Sequence, residues 1–227
     1  MKFSWRTELP PLLLLLATLA LSAWAWPRLP DEIPVHWGLD GRPDRWGGRA
    51  EGLMITPAVG LFLYLLFSAF PWLDPGRANY ASFGGTYFRI RLAVIVFIAA
   101  VHAVVIGLLL NARTDVTTWV MPLVGALLFF IGSQIDQLAP NWFMGVRTPW
   151  TLSSPSTWKR TNRMGGIVLR IGGVLFAVAG FAHRLWVCWV AIGAMAVGVL
   201  FVVIYSYLVW KDAPDKTPPG GTTTANS

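Results

Sequence analysis

The chain is poor in what a soluble enzyme needs. Of its 227 residues only 13% are charged and only one is cysteine. A lone cysteine excludes an internal disulfide, and Cys188 falls inside an apolar run, where its expected role is packing. There is no HExxH, no GxSxG and no carboxylate pair set in a helix for proteolysis, so neither catalysis nor a cofactor is expected. Acids are scarce as well, with 11 Asp and Glu against 18 Lys and Arg. No basic DNA-binding module is visible, so the excess positive charge points to anionic membrane lipids and not to nucleic acid. The longest connection between apolar runs is about 25 residues, too short to hold a separate extramembrane core.

What the chain has is hydrophobic length. It is 55% hydrophobic, with a mean hydropathy of +0.56, which a soluble globule of this size would not tolerate on its surface. A helix crosses the hydrocarbon core with about 20 apolar residues. Six runs meet or approach that length, at roughly 10–26, 53–73, 92–110, 119–138, 167–182 and 185–210. The expected fold is therefore all-α, a polytopic membrane protein of six transmembrane helices. Each half reads as helix, long loop, helix, short connection, helix, an arrangement that would make the halves inverted three-helix repeats. Residues 1–115 form the first half, with an outer loop at 27–52. Residues 116–212 form the second, with a loop at 139–164, and the polar segment 213–227 is expected to be disordered.

Lys and Arg concentrate on the cytoplasmic side of short loops. One side collects Lys2, Arg6, Arg77, Arg89, Arg91, Arg147, Lys159, Arg160, Arg163, Lys211 and Lys216; the other collects Arg28, Arg42, Arg45, Arg49, Arg113 and Arg184. The imbalance of eleven to six predicts that both termini and the 139–164 loop are cytoplasmic. A competing reading of the start is a cleavable signal peptide, from the basic n-region, the run Leu12 to Leu16 and the pattern Ala23-Trp24-Ala25. The length of the run and the interfacial character of Trp24 and Trp26 favour a retained first helix.

The outer loop, RLPDEIPVHWGLDGRPDRWGGRAEG, is dense in proline and glycine, which dictate turns. His36, Asp40 and Asp44 recur every fourth residue, but Gly38, Gly41 and Pro43 oppose the helix that metal ligation at this spacing requires. A salt-bridged, hydrogen-bonded cap is expected instead, seated at the headgroups by Trp37 and Trp46. In the other long loop, Ser154 followed by Pro155 is a helix start, so Ser156 to Met164 should form a short juxtamembrane helix bearing Trp158, Lys159, Arg160 and Arg163. By composition this loop suits an interfacial belt, with Trp142, Trp150 and Trp158 at headgroup depth and the cations on anionic lipid. The order Gly145-Val146-Arg147-Thr148-Pro149-Trp150, just before the helix, suggests in addition a folded turn in which Arg147 is available to bind a carboxylate or phosphate bidentately.

The segment PNWFMGVRTPWTLSS with the following TWKRTNRMGG (140–166) resembles the hallmark region of the SdpI family, bacterial immunity proteins against secreted toxic peptides. Asn141, Phe143, Gly145, Arg147, Thr148, Pro149 and Trp150 carry that likeness and are the candidates for partner contact or for a structural latch between the helices. Residues 29–46, LPDEIPVHWGLDGRPDRW, are similar to an outer-loop motif of an uncharacterised domain that commonly precedes the SdpI region, through Pro34, His36, Gly41 and Asp44. The resemblance implies a multi-pass protein of the bacterial cytoplasmic membrane that protects its own cell from a membrane-active peptide. It also implies a cytoplasmic regulator as a further partner, reached through the 139–164 loop.

Inside the spans, Gly166, Gly173 and Gly180 recur at heptad spacing beside Gly165 and Gly172. They offer a smooth stripe for close helix approach, with Ala191, Ala194 and Gly198 of the sixth run as the expected partner face. His102 lies mid-span, where an ionisable side chain is a functional candidate by default. Asp136 and Arg170, near the ends of the fourth and fifth runs, suggest a buried pair. These three are the only polar positions that an alternative reading, a small exporter of peptide or hydrophobic substrate, has to build a path from.

Overall fold

The computed structural model describes residues 4–111 and 115–217. Lys2, Arg113 and the tail from Pro218 onward, all used in the sequence reading, lie outside the described residues. The helices are α1 (Trp5–Ala25), α2 (Arg49–Leu73), α3 (Tyr80–Leu110), α4 (Thr117–Gln134), the single-turn α5 (Pro149–Leu152), α6 (Pro155–Ala182) and α7 (Leu185–Lys211). All but α5 are long and apolar enough to cross a membrane, which gives the six spans expected from the apolar runs. Strands β1 (Glu32–Trp37) and β2 (Pro43–Gly48) lie between α1 and α2.

These strands correct the reading of the outer loop as turns alone. They pair antiparallel, with Ile33 opposite Gly47, Pro34 opposite Trp46 and Trp37 opposite Pro43. Prolines mark the segment as irregular, yet an isolated two-stranded ribbon is all edge, and proline is tolerated at edges. Gly41 closes the turn at φ +78°, and a Cβ there would sit 2.5 Å from the Cβ of Asp115, so only glycine fits. Ile33 seats the hairpin in a cluster of Ala25, Leu29, Leu53 and Ile106.

The anticipated juxtamembrane helix is not a separate element. Ser154 caps α6 by accepting from the Thr157 N–H at 3.1 Å, Pro155 opens the helix, and the helix runs unbroken to Ala182. Nothing in WKRTNRMGG breaks an α-helix, so the polar first turns and the apolar span are one rod.

The glycine stripe of α6 faces α4, and not α7 as expected. A Cβ on Gly125 would lie 2.4 Å from the Gly173 carbonyl oxygen, and one on Gly173 would lie 2.5 Å from that of Gly125. Gly132 and Gly166 repeat this reciprocity at 2.7 and 2.6 Å, and Gly180 meets the ring of Pro122. The sequence shows the stripe clearly, but the matching glycines of α4 are only two, seven residues apart, and are easily passed over. Contact with α7 uses the flanking positions. Gly172 leaves room for Met195, Gly198 for Val168, and Ala191 is buried beside Ala179 and Cys188. Ala194 is exposed, off that face.

Two further corrections concern polar groups. Asp136 and Arg170 are both exposed and, among the described residues, make no ion pair. The buried pair lies elsewhere: Arg91, counted above as a loop cation, is inside α3 with Nη2 2.7 Å from Oε1 of Glu8 on α1. Arg91 also donates to the Thr7 carbonyl at 3.1 Å, and Tyr64 donates to the second Glu8 oxygen at 2.9 Å. Such a pair holds helices in register, because separating it strands a charge in low dielectric.

Candidate functional site

The loop between α4 and α6 folds into a knot whose polar side chains satisfy backbone groups. Asn141 is almost fully buried. Its Oδ1 accepts from the N–H groups of Phe143 (3.0 Å) and Met144 (2.7 Å), while Nδ2 donates to the Ala139 carbonyl at 3.0 Å. Gly145 follows at φ +100°, and a Cβ there would meet Oδ1 of Asn162 at 2.7 Å and the Trp158 ring at 3.2 Å. Glycine is thus required twice over, by conformation and by space. The chain then turns so that the Val146 N–H donates to the Asn162 Oδ1 at 2.8 Å.

Trp158 and Asn162 lie one turn apart on α6 and form the floor. Trp158 donates through Nε1 to the Leu138 carbonyl at 2.6 Å, and Asn162 donates to the Trp158 carbonyl at 3.0 Å. The sequence reading gave Trp158 to the interfacial belt, but it is fully buried in a cluster with Tyr80, Tyr87, Ile135 and Met144. Trp142, by contrast, is exposed, as the belt reading required.

Thr148 and Thr151 close the next turn reciprocally. The Thr148 N–H donates to the Thr151 hydroxyl at 2.9 Å, and the Thr151 N–H donates to the Thr148 hydroxyl at 3.2 Å. With Pro149 at its first position, this capping box makes α5. Thr148 also meets the hydroxyl of Ser206 on α7 at 3.1 Å, and Trp150 packs edge-on against Tyr207 at 5.3 Å between centroids.

The knot also ties the two halves together. Phe143 stacks on Phe70 of α2, with centroids 4.3 Å apart and planes 9° from parallel. Asp74, buried just after α2, accepts from the Trp142 N–H (3.0 Å), the Tyr80 hydroxyl (2.9 Å) and the Gly76 N–H (2.6 Å). Asn79 donates to the Pro140 carbonyl at 2.7 Å. Asp74 escaped the sequence reading because a single acid before Pro75-Gly76 looks like ordinary turn chemistry.

Residues 213–217, placed above in a disordered tail, return to this face. The Asp215 carboxylate accepts from the hydroxyls of Ser154 and Ser156, both at 2.6 Å, and from the Ser156 N–H at 2.8 Å. Those bonds, from Ser154 first, hold the carboxyl at about 2, below its ordinary value. A carboxylate at the start of α6 gains from the exposed N–H groups there, and this gives the segment its anchor.

Arg147 is the exception in this knot. It is exposed and, among the described residues, donates only to the Trp142 carbonyl, within its own loop. It therefore does not fasten α4 to α6; Asn162, Trp158 and the glycine seam do that. The other side of the bundle holds the hairpin, where His36 Nδ1 lies 2.6 Å from Oδ1 of Asp44. Asp40 is not part of that pair; it accepts from the Arg42 N–H at 3.1 Å. In the span, His102 is fully buried, with Nε2 2.9 Å from the Ser22 hydroxyl and 3.2 Å from the Thr18 carbonyl. Ser22 gives its own proton to the Leu53 carbonyl at 2.8 Å, so the ring is the donor and Nε2 carries the hydrogen. His102 thus joins α1 to α3, and Ser22 joins α1 to α2.

The knot lies within a segment that known proteins share. That segment matches the SdpI/YfhL protein family over residues 137–206. The likeness read from PNWFMGVRTPWTLSS is thereby shown. Residues 13–61, covering most of α1, the hairpin and half of α2, match a domain of unknown function. Among curated proteins, the immunity protein SdpI of Bacillus subtilis (strain 168) is 25% identical over 183 residues, covering 81% of this chain and 86% of that one. No solved structure matches. The SdpI-type segment ends at Ser206, the residue that Thr148 touches, so it comprises the knot, α6 and most of α7 but not α4.

Substituting Asn162→Ala leaves the Val146 N–H without its acceptor in a buried setting, at an expected cost of about 1–3 kcal/mol. Arg147→Ala removes an exposed side chain and should change stability by less than about 0.5 kcal/mol. Thermal melting of the two variants in detergent checks the contrast, and equal melting temperatures would refute the division of roles.

Proposed function

We propose that the protein is an SdpI-like membrane immunity protein, which gives its cell resistance to a secreted membrane-active peptide without catalysing a reaction. The observation that carries this reading is the division of labour in the knot. Its buried polar residues hold a fixed shape, while Arg147 and Trp142 stay exposed on it. A shaped surface with an available guanidinium suits recognition of a carboxylate or phosphate. Similarity to an immunity protein over most of both chains supports the same reading.

In this account the hairpin faces outward, where a secreted peptide arrives, and the knot faces the cytoplasm with both termini. The surplus of Lys and Arg on the knot side supports the orientation. Exposed Lys159, Arg160 and Arg163 beside the knot hold it against anionic headgroups. Arg147 is then positioned to report toxin occupancy to a cytoplasmic regulator. The exporter alternative gains nothing from Asp136 and Arg170, which lie exposed and unpaired with each other.

Expression in a strain susceptible to membrane-active peptides should confer survival against at least one peptide of a panel. Arg147→Ala should reduce survival while membrane abundance stays unchanged; no protection by the wild type across the panel, with vesicles accumulating substrate, would support export instead. Orientation is read independently by an impermeant maleimide on intact cells, in a Cys188→Ser background. Gly48→Cys, at an open position in the hairpin, should label, and Lys159→Cys should not. Labelling of Lys159→Cys alone would invert the topology.

A further inference from the structure

Between α3 and α4, where the two halves of the chain meet, a groove of about 450 Å³ is lined by Ala93, Val96, Phe97, Ala100, Ala126 and Leu127 among others. Residues 89, 93, 96 and 100 share one face of α3, and 123, 126, 127, 130 and 134 share one face of α4, by helical spacing. Three of the lining residues are alanine, and their short side chains account for the gap. Val96 and Ala126 are exposed, so the groove opens sideways from the bundle, toward the lipid that surrounds it.

Its end on the knot side is not apolar. Arg89 lines the groove there. Its Nε donates to Gln134 Oε1 at 2.7 Å, and its Nη2 donates to the Thr86 hydroxyl at 2.8 Å and to Gln137 Oε1 at 2.9 Å. All three partners are neutral, so the guanidinium is aimed but its charge is not balanced by them. The contrast with Arg91, two residues on, is informative, because that guanidinium is neutralised by Glu8.

We propose that this groove binds one acyl chain of an anionic phospholipid, with the headgroup phosphodiester on Arg89. Charge complementarity selects the sign of the head, since an oriented guanidinium at the rim of an apolar slot is matched by an anion carrying a hydrocarbon chain. The place of the groove selects the source: it faces the bilayer, where such a molecule is the solvent. Its volume falls within the range of sites for small molecules. The lipid would fill the seam between the halves, a role independent of toxin resistance and of the knot's contact with any regulator.

The test uses the purified full-length protein, exchanged into equal amounts of phosphatidylglycerol and phosphatidylcholine of the same chain length and measured by native mass spectrometry. Wild type should retain phosphatidylglycerol preferentially, and Arg89→Gln should lower the ratio of the two lipids retained roughly fivefold. Ala126→Leu, which fills the groove but leaves the charge, should reduce retention of both lipids with an unchanged melting temperature. Equal retention by the wild type, an unaltered ratio in Arg89→Gln, or full retention in Ala126→Leu would each overturn the proposal. Soluble glycerol phosphate binding as well as the intact lipid would assign Arg89 to a free phosphate ester and overturn it too.

Discussion

The rest of the second half depends on one contact, the backbone approach of α4 and α6 across Gly125, Gly132, Gly166 and Gly173. Helices in a bilayer have no hydrophobic drive toward each other, so close packing and weak polar contacts must supply the attraction. Glycines opposed to glycines let carbonyl and Cα surfaces touch. The consequence at the membrane surface is positional. With the two rods locked, the end of α4 lies beside the first turns of α6, and Trp158 can reach the Leu138 carbonyl while Asn162 reaches the Val146 N–H. A loop spanning helices at ordinary separation would have no such floor.

The two halves solve the same problem of buried polarity with different means. In the first, side-chain pairs cross between helices: Glu8 with Arg91, and His102 with Ser22. In the second, apart from the Thr148 contact with Ser206, buried polar side chains mostly satisfy local backbone, as Asn141, Thr151 and Asn162 do. The halves meet at one end through Asp74 and Phe70, which grip the knot, and along α3 and α4 through a looser seam that leaves a groove. Arg147 stands outside this network, exposed and hydrogen-bonded to the Trp142 carbonyl within its own loop.

Much of this was legible in the chain before any coordinates. Six spans followed from apolar length, and the order of residues 140–154 set that loop apart from a generic aromatic belt. The helix start at Ser154-Pro155 was also correctly placed. Other features were hidden for physical reasons. The hairpin was masked because Pro34 and Pro43 deny donors that an unpaired edge never needed. Glu8 and Arg91 lie 83 residues apart, and charges at span ends look like headgroup contacts until the helices are packed together. Trp158 read as interfacial because local sequence does not show that Met144 and Tyr80 will cover it. Asp215 sat in a segment of tail-like composition, and its three hydrogen bonds to the start of α6, with those of Thr217 to the Ser153 carbonyl, give that segment a place.

The claim that the glycine seam holds the knot in shape is tested most directly by amide hydrogen exchange on the full-length protein in lipid nanodiscs, comparing wild type with Gly132→Ala. Slow exchange at Met144, Val146 and Thr151 in the wild type is predicted to become fast in the variant, while the hairpin strands at 32–37 and 43–48 keep their rates. Protection of 144–151 that survives Gly132→Ala would contradict the account, as would loss of protection of equal size in the hairpin.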